Sequence, residues 1–282
     1  MKKVVFLIIA VLIIGMIAGC GNTKSGGSGG SYSDLMIMDG APLVEEDYAI
    51  GLRVGSDAVG EINKYIEVLL DDGTLKSIAE KYGLSASLLT KDEMYAGFVD
   101  KGRTQPGDLA FIKDKGVLKI GITIYEPMNY FDAAGNLTGF DTEFAIALCK
   151  KMDVEPEFIE INWDTKEVEL AAKNIDCIWN GLTVTEERRE NIEFSYSYLR
   201  NKQVIVIRKA DANKFTSIES LANAKLTAEI SSAGESAIMD DEILSGAPYT
   251  AVQKQTDALM EVKAGTSDAA VLDYTLAKAL VG

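Results

Sequence analysis

The chain has 282 residues, 47% hydrophobic and 25% charged, a balance that fits a folded protein with one large core or two ordinary ones. Its formal net charge of −15 repels phosphate backbones and argues against a nucleic-acid partner. It contains no histidine, which excludes Ser/His/Asp hydrolases and removes the commonest zinc ligand and general base. No metal, cofactor or catalytic residue is assigned.

Residues 1–20 read as a sorting signal. Met1, Lys2 and Lys3 carry positive charge, and residues 4–17 form an apolar run that is short for a membrane span and right for a signal. "IAGC" follows, and Cys20 after a small residue resembles the lipobox of bacterial lipoproteins. That resemblance implies cleavage and lipidation at Cys20, hence an extracytoplasmic, membrane-anchored protein. An uncleaved anchor helix is the alternative, and it exports the rest equally. Residues 21–33 contain "NTKSGGSGGS", a flexible tether without core residues.

From Asp34 the pattern becomes structured. "DLMIMDG" and "YAIGLRVG" read as short buried strands. Residues 61–83 read as helix, with Ile62, Ile66, Leu69 and Leu70 on one face, a break at "DDG", and Thr74 placed to cap a second turn. Residues 84–107 show weak periodicity and end in "GRTQPG", which suggests a connector with one helical turn. Strands and helices then alternate. The strands are "VLKIGIT", "EFIEI", "IDCIWNG", "QVIVIRK", "LTAEI" and "AAVLD"; the helices include "FDTEFAIALCKKM", with Asp141 placed to cap it, "KEVELAAK" and "ALMEVKAG". Such alternation predicts an α/β fold with mostly parallel sheets flanked by helices, whose ligands bind beyond the carboxyl ends of the strands. Asn180, Ser231 and Asp273 all fall at such ends. Cys149 and Cys177 read as small buried hydrophobes.

Two stretches carry a resemblance. "YEPMNYFDAAGNLTGFDTEFAIAL" (residues 125–148) and "NIDCIWNGLTVTEERRENIEFSYSY" (174–198) are similar to the first lobe of bacterial solute-binding proteins for polar amino acids, the two-lobed receptors of ABC importers. The resemblance implies a periplasmic-binding-protein fold of type II, family 3, with lobes joined by hinge strands near 49–51 and 198–203. The order of the pieces departs from the family. Its counterpart of "VLDYTLAKALVG" is followed by the counterpart of residues 31–84, whereas here those residues come first. The chain thus reads as a circular permutant. Residues 34–50 would give second-lobe strands, 51–84 first-lobe helices, 85–107 a connector between the family's usual ends, 108–198 the first lobe and 199–282 the second. Two partial copies completed by chain swapping are the alternative.

The resemblance also implies the site. Arg188 would hold the ligand's α-carboxylate with its fork, and Asp273 the α-ammonium. Asn180, Gly181 and Thr183 match positions whose main-chain and hydroxyl groups meet these ends, Ser232 starts a second-lobe helix, and Tyr125 and Trp163 match aromatics flanking the side chain. Trp179, Tyr130 and Phe131 read as packing. The implied mechanism is closure of two lobes on an amino acid, followed by recognition by an ABC permease. The other readings are a dehydratase on the same fold, a ligand-binding sensor component, and a folded permutant without affinity. Which amino acid binds is not legible.

Overall fold

Two sheets, each completed by strands from the front of the chain, organise the computed structural model, which describes residues 32–40 and 42–281. The sorting signal, Cys20 and nearly all of the tether lie outside the described residues.

The leading segment supplies β1 (Leu35–Ile37), β2 (Val44–Tyr48), β3 (Gly51–Arg53), α1 (Ala58–Asp71) and α2 (Thr74–Lys81). After α3 (Lys91–Ala96) and α4 (Asp108–Lys115) come β4 (Val117–Ile122), the hairpin β5 (Tyr130–Phe131) and β6 (Leu137–Thr138), α5 (Phe140–Met152), β7 (Glu155–Glu160), α6 (Lys166–Ala171), β8 (Cys177–Ile178) and β9 (Ile192–Phe194). The first sheet runs β7-β4-β8-β3-β9, parallel except for β3, which enters antiparallel between β8 and β9.

The second lobe follows with β10 (Leu199–Arg208), β11 (Leu226–Glu229), α7 (Ala233–Asp240), β12 (Tyr249–Val252), α8 (Gln255–Ala264), β13 (Ala269–Asp273) and α9 (Tyr274–Leu280). Its sheet runs β1-β10-β13-β11-β12, and β2 pairs the other half of the long β10. One chain therefore fills both sheets. β1 and β2 lie with the elements after residue 199, and β3, α1 and α2 with those before it.

The chain crosses between lobes twice, at Ala49–Ile50 and at residues 195–198. The crossings are tied together: the Tyr198 N–H donates to the Tyr48 carbonyl at 2.8 Å and the Ser195 N–H to the Ile50 carbonyl at 2.9 Å. The second crossing lies upstream of the expected 198–203, because 199–203 are already paired with β2 inside the sheet.

Residues 84–107 lie over this hinge. Thr90 and Glu93 form a reciprocal cap that starts α3, satisfying two otherwise orphaned N–H groups. Tyr95 and Phe98 pack edge-on against Tyr196 with ring centroids 5.1 and 4.9 Å away, and Glu93 pairs with Arg200 at 3.1 Å. The sequence pattern did not anticipate α4, whose only buried side chain is Ile112.

Three local expectations need correction. Thr74 is the first residue of α2 and makes no cap bond; Gly73, at φ +83°, turns the chain into the helix. Asp141 is buried inside α5, and its carboxylate accepts the Gly181 N–H at 2.7 Å rather than capping its own helix. Phe131 is 55% exposed on the hairpin, not packed, while Tyr130 is half-buried. Trp179 is fully buried, 4.8 Å edge-on from Phe144, and Cys149 and Cys177 are buried and unpaired.

Candidate functional site

The carboxyl ends of β4 and β8 in one sheet, and of β11 and β13 in the other, face each other across the hinge. Tyr125, Trp163, Asn180, Gly181, Thr183, Arg188, Ser232 and Asp273 all line one cavity there, together with Thr123, Glu229, Lys254 and Gln255. The cavity measures about 20 Å³, room for about one water, so anything larger can enter only when the lobes part.

The first lobe presents cations. Arg188 is 7% exposed; Nη1 donates to the Thr183 carbonyl at 2.9 Å and Nη2 crosses to the Ser231 carbonyl at 3.1 Å. Lys166, 3% exposed on α6, donates to the Trp163 and Ser231 carbonyls, both at 3.1 Å. Burial pulls both below their ordinary values, Lys166 to about 8 with Arg188 adding to the effect; Glu46 and Asp273 oppose the shift at Arg188.

The second lobe presents carboxyls. Asp273 Oδ1 accepts the Tyr48 hydroxyl at 2.6 Å, the Asn201 amide at 2.6 Å and the Gln203 amide at 2.8 Å, and Oδ2 accepts the Gln255 amide. The same two amides of β10 donate to Glu46 Oε1 at 2.6 and 2.8 Å, so they bridge the two carboxyls. Burial, then the charge of Asp273, pushes Glu46 up to about 8; burial and the same charge push Glu229 to about 8.

Among the described residues, none of Arg188, Lys166, Glu46, Glu229 and Asp273 has an opposite charge within 4.0 Å. The ion pair that does cross the cleft, Lys254 with Glu160 at 3.2 Å, lies at its rim, with both partners about half exposed. Cationic groups thus sit on the first lobe and acidic groups on the second, and holding a buried charge without a counter-charge is costly.

Other lining residues act as framework. The Asn180 amide is used within its lobe, donating to Thr123 O and Asn129 Oδ1 and accepting from the Thr123 hydroxyl. Ser232 Oγ caps α7 by accepting the Glu235 N–H at 3.1 Å, and the Glu235 carboxylate accepts the Ser231 N–H. The anion-favouring start of that helix is thus already occupied by its own glutamate. Tyr125 joins its hydroxyl across the cleft to both Tyr48 and Thr275. Gly181 sits at φ +57°, and a Cβ there would lie 2.7 Å from the Tyr125 ring and 3.1 Å from that of Tyr48. Gly181→Ala is therefore expected to displace Tyr125 and lower the melting temperature by several degrees, corresponding to about 1–3 kcal/mol. An unchanged melt would contradict that geometry.

The family model of bacterial extracellular solute-binding proteins, family 3, matches residues 118–279. The chain belongs to this family. Among curated relatives, this solute-binding protein is 25% identical to the L-cystine-binding protein TcyJ of Escherichia coli over 67% of its own length and 70% of that chain. It is 31% identical to TcyA of Bacillus subtilis, also named an L-cystine-binding protein, over 62% and 66%. Among solved structures it matches the ancestral amino acid-binding protein AncCDT-1, described as a precursor of cyclohexadienyl dehydratase, with TM-score 0.59 and 31% identity, covering 61% of this chain and 77% of that one. The arginine-bound truncated ArgBP from T. maritima matches with TM-score 0.56 and 32% identity, over 60% and 79%.

The solute-binding protein's buried acids set a pH dependence. Glu46 and Glu229 at about 8 and Asp141 at about 7, all raised chiefly by burial, hold protons in the fold that the unfolded chain has released by about pH 5. The folded state then binds more protons, so stability falls as pH rises from about 5 to about 7.5. Glu46→Gln should flatten this slope in thermal melts taken across that range; an unchanged slope would contradict the burial of Glu46 as a neutral acid.

Proposed function

We propose that this solute-binding protein captures a free polar α-amino acid between its lobes and delivers it to an ABC permease, held at the outer face of the bacterial membrane through lipidated Cys20. The observation that carries the reading is the separation of unpaired buried charge, cations on the first lobe and carboxyls on the second. The α-carboxylate would take the Arg188 donor now given to the Ser231 carbonyl, and the α-ammonium would meet Asp273. A ligand touching both lobes favours the closed form over the open one by its differential affinity for it. Relatives named for amino-acid and cystine binding support the same reading.

We read the protein as a receptor and not an enzyme. Its site residues suit the two ends of an amino acid, and the curated relatives it matches are named for binding. We also infer that the order is a circular permutation. β1–β3, α1 and α2 come before the residues that the family model matches, and residues 84–107 span from α2 to α4 over the hinge.

Trp163 and Trp179 are the two tryptophans, one lining the cleft and one in the core. Titration of the detergent-solubilised full chain with amino acids should give a saturable emission change that Trp163→Phe removes. A folded chain whose emission no amino acid alters would refute the proposal.

A further inference from the structure

We propose that Lys166 and Glu229 form a second charged subsite beside the α-amino-acid site, fitted to a ligand whose side chain ends in its own ammonium and carboxylate, as in a diamino dicarboxylic acid. This rests on the amino-acid reading above and narrows it to a ligand class.

Arg188 and Asp273 account for the two ends of any α-amino acid. They leave Lys166 and two acids, Glu229 and Glu46, over; of the two acids, Glu229 lines the cavity and Glu46 does not. Lys166 Nζ lies against backbone carbonyls and 4.9 Å over the Trp163 ring, partners that stabilise an ammonium without neutralising it. Glu229, 5% exposed, lines the cavity two residues before Ser231, whose carbonyl Lys166 reaches, and its side-chain partner is the neutral amide of Gln255. The two are thus on opposite lobes within one small region, yet no opposite charge lies within 4.0 Å of either among the described residues. Even in the closed form they do not close on each other.

The chemistry of the missing group follows from what each kind of side chain would leave unanswered. A neutral side chain leaves both charges stranded. A cationic one answers Glu229 and repels Lys166, and an anionic one does the reverse. A dipolar terminus answers both. Glu46 takes no part in this subsite, since it does not line the cavity and its acid is held by Thr183, Asn201 and Gln203. Lys254 is half exposed and already paired with Glu160. Burial pushes Glu229 up to about 8, which holds it as a neutral acid at pH 7, and pulls Lys166 down to about 8; a ligand ammonium beside Glu229 and a carboxylate beside Lys166 would favour the charged form of each.

The test is calorimetric titration of the detergent-solubilised full chain with L-cystine and with S-methyl-L-cysteine, which keeps the α-amino-acid end and lacks the second dipole. Cystine should bind at least tenfold tighter. Lys166→Met and Glu229→Gln should each bring the ratio of the two affinities close to one, with Lys166→Arg retaining most of it. Melts of the unliganded variants establish that they fold. Equal affinity for the two ligands, or a ratio unchanged in both variants, overturns the subsite. Binding of glutamine or arginine but not cystine overturns it as well, while leaving the receptor reading intact. A folded chain that binds no amino acid at all instead removes the receptor reading on which the subsite rests.

Discussion

Arg188→Ala is expected to weaken amino-acid binding by about two to three decades, since stranding one partner of a buried charge pair costs roughly 3–5 kcal/mol. The side chain reaches the cleft from a short turn after β8, where Nη1 is anchored on the Thr183 carbonyl and Nη2 points across to Ser231. Removing it leaves those carbonyls without their donor and the ligand's carboxylate without a fork. Arg188→Lys should recover part of the loss, because a point charge cannot reproduce two parallel N–H donors. Calorimetry with any ligand that binds the unaltered chain decides this. Normal affinity in the alanine variant would mean that the carboxylate lies elsewhere.

Asp273→Asn is expected to act on both binding and stability. Its two oxygens accept from Tyr48, Asn201, Gln203 and Gln255, so replacing one oxygen with an NH₂ group sets donor against donor in a buried network. One stranded donor costs about 1–3 kcal/mol, which a melt would report as several degrees. Loss of the charge removes the counter-ion for the α-ammonium, and affinity should fall by about two decades or more. It also removes the Coulombic push on Glu46, so the fall of stability with rising pH should become shallower. A variant that binds less well but melts normally with the same pH slope would contradict the shared network.

Some parts of the site are legible in the sequence and others are not. The alternation of apolar strands with helices placed Asn180, Ser231 and Asp273 at strand ends, and the resemblance around "NGLTVTEERRE" singled out Arg188. All eight named residues converge on one cavity. What was missed depends on tertiary register. Lys166 reads as one more charge in "TKEVEL", and nothing local says that its ammonium crosses to Ser231. Glu46 becomes part of the site only because β2 pairs with β10 opposite β13. Glu229 did have a signal: it ends the otherwise uncharged "LTAE" of β11 as Asp273 ends "AAVLD" of β13, and the two strands are parallel neighbours. Thr74 and Asp141 failed as caps for different reasons. A left-handed glycine replaced the first, and burial against Gly181 recruited the second.

The position of residues 84–107 also has a consequence for the cycle of opening and closing. Tyr95 and Phe98 pack on Tyr196, within the second crossing, and Glu93 pairs with Arg200 just beyond it. Glu93→Ala removes this exposed pair and also the Glu93 half of the α3 cap, so the melt should report a loss of about 1–2 kcal/mol, most of it from the cap.

In the proposed function, two lobes close on a dipolar amino acid. A thermal-shift series on the purified full chain with each common amino acid and cystine tests it most directly. A ligand at 100 times its dissociation constant should add roughly 2.7 kcal/mol of stability and raise the melting temperature by a few degrees. One clear stabiliser, abolished by Arg188→Ala, is the result expected. A cooperative melt that no amino acid moves would contradict the claim.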